Sequence, residues 1–138
     1  KNLSSMNVQI NYSEISNFLE KILGFCPTFS CVDNKAFEVK YKPNMFMPTI
    51  AIKFRIDALR KDCICLSYEC GSAASLIIAD VVDYLKEKIP SGVEVKTADK
   101  RVNIYPPHFY HVDNLYDHIA LSDITFEEKS VNVEFTMV

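Results

Sequence analysis

Glycine is scarce. Gly24, Gly71 and Gly92 are the only three in 138 residues and lie far apart, so no glycine-rich loop can cradle a phosphate. Gly-x-Ser-x-Gly and His-Glu-x-x-His are absent as well, which removes the nucleophile elbow of hydrolases and the helical zinc pair of metalloproteases. No apolar run approaches the roughly 20 residues that span a membrane, and the N-terminus lacks the basic and apolar regions of a secretory signal. No transmembrane segment is therefore expected and a cytoplasmic location is favoured, with export after cleavage of a leader ahead of residue 1 left open as the alternative. Lys and Arg form no cluster and the net charge is −3, so the electrostatic footprint of a nucleic-acid binder is missing. Solenoid-length repeats, low-complexity tracts and long charged runs are missing too.

What is present is a globular composition, 49% hydrophobic and 24% charged, in a length that suits one domain with a real core. The five cysteines, Cys26, Cys31, Cys63, Cys65 and Cys70, are an odd number in a chain with no need of covalent staples. They predict free thiols and a reducing, cytoplasmic location. Cys63 and Cys65 share one face of a strand, yet zinc sites more often use a two-residue gap and a second ligand pair, so both read as small half-buried residues. A nucleophile at Cys70, beside a helix start that favours thiolate, would need a histidine partner. Residues 1–9 show no periodicity and read as an N-terminal arm. Met6 is a candidate natural start, with the residues before it left over from cloning. Residues 10–138 read as a single domain.

The stretch from Gly71 to Pro90 organises the rest. Ser72 suits an N-cap, Pro90 stops the run, and Ala74, Ile77, Ile78, Val81, Val82, Tyr84, Leu85 and Ile89 share one broad face at helical pitch. Burying that face gains on the order of 2 kcal/mol per large side chain, so the helix needs a sheet to lie on. Leu76 projects on the polar side. An earlier helix is predicted over about residues 12–23, where Asn11 and Glu14 form a capping box, Ile15, Phe18, Leu19, Ile22 and Leu23 recur, and Gly24 ends the run.

Elsewhere the period is two. Phe37, Val39 and Tyr41, then Ile50, Ile52, Phe54 and Ile56, then Ile64, Leu66 and Tyr68 alternate with polar or small neighbours, and each set predicts a half-buried strand. Val93–Thr97 and Arg101–Tyr105 read as a hairpin, and strands close the chain at about Ile119–Glu127 and Ser130–Met137. The order α-β-β-β-α-β-β-β-β with short turns predicts an α+β fold, a mostly antiparallel sheet of about seven strands packed on two amphipathic helices.

Two irregular stretches interrupt this order. Lys-Pro-Asn-Met-Phe-Met-Pro carries Met45, Phe46 and Met47, an apolar tip that either packs on the core edge or forms a lid over an apolar cavity. All three histidines lie between His108 and His118, and His108, His111 and His118 with Asp113 or Asp117 are candidate metal ligands or proton carriers. His-x-x-His is a loose signal, and an exposed loop is the plainer reading. No cofactor is expected, and the residues lean against an enzyme, with catalysis through the histidine stretch kept as the contrasting reading.

Residues 64–138, from the strand before Gly71 through the helix that ends in Ile-Pro and the valine-alternating strand beyond it, resemble small bacterial proteins of the tubular lipid-binding (TULIP) type. The resemblance implies non-enzymatic binding of a lipid or another elongated apolar molecule in a greasy groove between helix and sheet. The residues expected to line it are Met45, Phe46, Met47, Ile52, Phe54, Ile77, Val81 and Leu85. The alternative is a protein–protein interaction or homodimer module with a filled core, pairing through a sheet edge or through Leu76 and its neighbours.

Overall fold

The structure is a computed structural model that describes residues 5–42, 45–46, 48–71, 74–75, 78, 82–83, 87, 91–105 and 118–137. Strand β1 (Ser5–Asn11) leads into helix α1 (Tyr12–Leu23), followed by β2 (Thr28–Asp33), β3 (Ala36–Tyr41), β4 (Ile50–Arg60) and β5 (Cys63–Cys70). The chain then forms β6 (Val93–Lys96), β7 (Arg101–Ile104), β8 (Ile119–Phe126) and β9 (Ser130–Met137). All pairings are antiparallel, in a six-stranded sheet of order β2-β3-β4-β5-β7-β6 and a three-stranded sheet of order β1-β9-β8.

This overturns the expected architecture of about seven strands in one sheet under two helices. Nine strands divide between two sheets, and α1 is the one helix among the described elements. The reason lies in the segment read as an arm. Residues 5–11 extend along β9, with Ser5 opposite Thr136 and Asn11 opposite Ser130, so the closing hairpin gains its third strand from the N-terminus and not from the main sheet. Of the 71–90 stretch, Ala74, Ser75, Ile78, Val82 and Asp83 are described as helical positions, with Ala74 buried. Ser72 and Leu76 lie outside the described residues.

Helix α1 starts at Asn11, whose extended backbone takes the N-cap position without a side-chain capping bond, so the expected box with Glu14 does not form. Instead the Tyr12 N–H donates to the Lys129 carbonyl at 3.0 Å, extending the β1 to β9 ladder into the helix. Gly24 ends it at φ 85°, a left-handed conformation that a residue without Cβ adopts freely, and its N–H donates to the Glu20 carbonyl. Ser16, buried on the inner side, donates to the Pro27 carbonyl at 2.8 Å and fixes the turn into β2.

Two apolar clusters result. Tyr12, Leu121, Ile124 and Val131 gather beneath the small sheet, and Leu66, Tyr68 and Val102 beneath the large one, with Ile56 and Ile64 packed against both. Strand β4 reaches both because its register with β5 slips between Ile56 and Ala58. The extra residue reverses the alternation, so Ile56 and Leu59 both turn inward, while Asp57 accepts from Ser67 at 3.2 Å on the outside. The sheets are tied across the β2–β3 turn. The Lys35 ammonium donates to the Asp123 carboxylate and, at 2.6 Å, to the Ile124 carbonyl, and the Phe126 N–H donates to the Asn34 carbonyl at 2.9 Å.

Candidate apolar chamber

Alternation on the six-stranded sheet sends one face outward to water and the other onto α1. The outer face carries exposed ion pairs, Arg55 with Asp33 at 2.8 Å and Arg101 with Asp57 at 3.4 Å. Hydrogen bonds from Arg55 hold the Asp33 carboxyl below the usual carboxylate range. The inner face is greasy throughout. Phe37, Val39 and Tyr41 of β3, Ile50, Ile52 and Phe54 of β4, and Leu66 of β5 form the floor, which Val102 and Ile104 of β7 and Val93 and Val95 of β6 continue. Leu19 and Ile22 of α1, Phe25 and Pro27 after it, and Ala74 with Ile78 face that floor.

Between these surfaces lies a cavity of about 390 Å³. Apart from the Tyr41 hydroxyl, every side chain that lines it is apolar. Its volume falls within the roughly 300–1,000 Å³ of small-molecule sites, and nothing charged lines it. An aromatic rib stiffens the floor: Phe37 stacks on Phe54 at 5.1 Å, and Phe54 lies 5.9 Å from Tyr68. Tyr68 is buried with its hydroxyl lacking a hydrogen-bond partner among the described residues, and burial, with the nearby Cys70 thiol, raises its pKa.

At one end the chamber meets Phe25 and Tyr41, whose rings lie 4.2 Å apart. The same two residues line a second, polar cavity of about 630 Å³ with Gly24, Thr28, Lys40, Lys42 and Thr49. Tyr41 is also the last residue of β3, after which the chain runs to β4 at Ile50. Met45 and Phe46 in this connection are 79% and 92% exposed.

Of the residues expected to bind, Ile52 and Phe54 line the chamber, while Met45 and Phe46 stand out in solvent away from its wall. Met47, Ile77, Val81 and Leu85 lie outside the described residues, as do His108, His111, Asp113 and Asp117. His118 sits exposed in the turn before β8. Sequence reasoning left Phe37, Val39, Tyr41, Val93, Val95 and Val102 off the list, although their alternation marks them as inward-facing. Leu19 and Ile22 belong to the apolar stripe legible in the sequence, but that the stripe faces this space depends on where α1 docks.

The cysteines are free. Cys63 is buried, its sulfur 3.8 Å from that of Cys65, and burial raises its pKa, with the Cys65 hydrogen bond adding to the shift. Cys70 approaches the Ser75 hydroxyl at 3.3 Å. Among the described residues, no three His, Cys, Asp or Glu side chains converge to hold a metal. No helix among them is long and apolar enough to cross a membrane. The chain matches no protein-family model, no curated protein and no solved structure.

Proposed function

We propose that the protein binds a lipid or another elongated apolar molecule, without chemical conversion, in the chamber between α1 and the six-stranded sheet. The observation that carries this reading is the roughly 390 Å³ space whose lining side chains are apolar but for one hydroxyl. An apolar occupant would remove this lining from water, gaining about 25 cal/mol for each Å² it covers.

The test is direct. Native mass spectrometry of the freshly purified chain should reveal an extractable apolar mass, and an environment-sensitive apolar dye should bind the stripped protein. Filling the chamber with Val95→Trp should weaken the dye at least tenfold while the fold persists. Absence of both bound mass and dye binding, or unchanged affinity in the variant, would discard the reading.

A second reading is self-pairing through the edge strand β1. It is favoured by Met6 and Val8, which are exposed on the same face of the small sheet as Met137. Sedimentation over a hundredfold concentration range separates the two, since an isologous dimer would dissociate on dilution.

A further inference from the structure

We propose that the tip of the β3–β4 connection is a docking element for an anionic lipid bilayer, with Met45 and Phe46 entering the acyl boundary while Lys40 and Lys42 lie against the phosphates. This goes beyond ligand binding in the chamber and stands on different residues. Phe46 at 92% and Met45 at 79% exposure are far more open than any other exposed large apolar side chain among the described residues, where the next reaches 51%. They are neighbours on one turn, so they can enter an interface together.

Charge sits directly behind them. Lys42 leaves β3 at the base of the tip and makes no ion pair among the described residues, and Lys40 lies 3.7 Å from Glu38 but is more than half exposed. Both line the polar cavity that shares Phe25 and Tyr41 with the chamber. Along the chain, the chamber end at Tyr41, the lysines and the apolar tip at Met45 and Phe46 therefore follow one another within a few residues. Reversed, that is the order of a side chain in hydrocarbon, an ammonium on headgroup phosphate, and a path for an apolar molecule behind them. The opposing features are weaker: Glu38 is one carboxylate, and the negative end of α1 at Gly24 amounts to about half a charge. The net charge of −3 is spread over the chain and is screened beyond about 8 Å at physiological salt.

The geometry favours a bilayer over a folded protein as the partner. Two side chains on a turn present far less than the roughly 800 Å² that a stable protein interface takes from each partner, whereas a fluid lipid surface needs no complementary shape. Two anchors and two lysines make the attachment weak and reversible, weaker than that of a single acyl chain.

Co-sedimentation of the full chain with vesicles tests this. Vesicles of phosphatidylcholine with 30% phosphatidylglycerol should carry the protein down, pure phosphatidylcholine should carry down less, and 0.5 M salt should erase the difference. The double change Met45→Ser with Phe46→Ser should weaken association at least tenfold, and Lys40→Glu with Lys42→Glu should abolish the preference for the anionic lipid. Val32→Ser, an exposed apolar position on another strand, should change nothing, and unaltered thermal midpoints show that the variants fold. Val95→Trp, which fills the chamber, should still sediment with vesicles, so loss of dye binding and loss of docking are read separately. No sedimentation with either vesicle, an unaffected tip variant, or self-association that vanishes in the tip variant without vesicle binding would each overturn the proposal.

Discussion

Phe37 and Phe54 stand directly opposite each other on β3 and β4, their rings 5.1 Å apart and 15° from parallel, and Phe54 in turn stands opposite Tyr68 on β5. Three aromatic rings thus cross three strands in a line. Pairs of this kind add about 0.5–1.5 kcal/mol beyond their burial. The line ends at a hydroxyl that is shielded from water and unpartnered among the described residues, which leads to the first prediction.

Tyr68→Phe should stabilise the ligand-free protein. A buried hydroxyl without a partner costs about 1–3 kcal/mol, and removing it leaves the ring packing intact. Urea denaturation should show a midpoint shifted up by the equivalent of about 1 kcal/mol with an unchanged slope. A clear loss of stability would mean that the hydroxyl has a strong partner.

The Lys35 to Asp123 pair predicts a pH dependence. The Lys35 ammonium, by hydrogen bond and charge, holds the Asp123 carboxyl below the usual carboxylate range. A carboxylate with a lowered folded pKa contributes stability that is fully present above its unfolded value, near 4, and is lost as pH falls through the folded one. With the Asp123 side chain 48% exposed, solvent screening limits the contribution to at most about 1 kcal/mol. Asp123→Asn should lose that amount at pH 7 and flatten the decline of stability below about pH 4, as measured by denaturation at a series of pH values. A parallel offset at every pH would assign the effect to packing.

Gly24→Ala isolates backbone strain. Nothing lies within 4 Å of the place a Cβ would occupy, so the substitution meets no clash, yet φ stays at 85°. The cost should therefore be conformational, about 1–2 kcal/mol by thermal unfolding, and Gly24→Asn should cost less because asparagine tolerates the left-handed region. Equal losses in the two variants would point to a steric origin instead.

Seven strands were legible because alternation is a local property. Val39, Ile52 and Val102 declare the inner face by their neighbours alone, and β3 to β9 fall where that period places them. The first strand was not read, although Met6, Val8 and Ile10 alternate with Asn7 and Gln9, because its register with Phe135 and Val133 joins opposite ends of the chain. β2 was obscured by Pro27 before it and by the slipped register between Cys31 and Asp33. Counting one sheet where there are two followed from the first omission, since β1 completes the small sheet whereas β2 extends the large one. At the chamber, Ile52 and Phe54 carried their own signal, whereas the roof at Leu19 and Ile22 is a product of docking. The apolar tip at Met45 and Phe46 was conspicuous as composition, but that it projects into solvent is a matter of loop direction, which composition does not encode.

The slipped register at Asp57 has a mechanical consequence. Because one strand enters both apolar clusters, neither half of the molecule can come apart without pulling side chains out of the other. Heat should therefore melt both halves in one step.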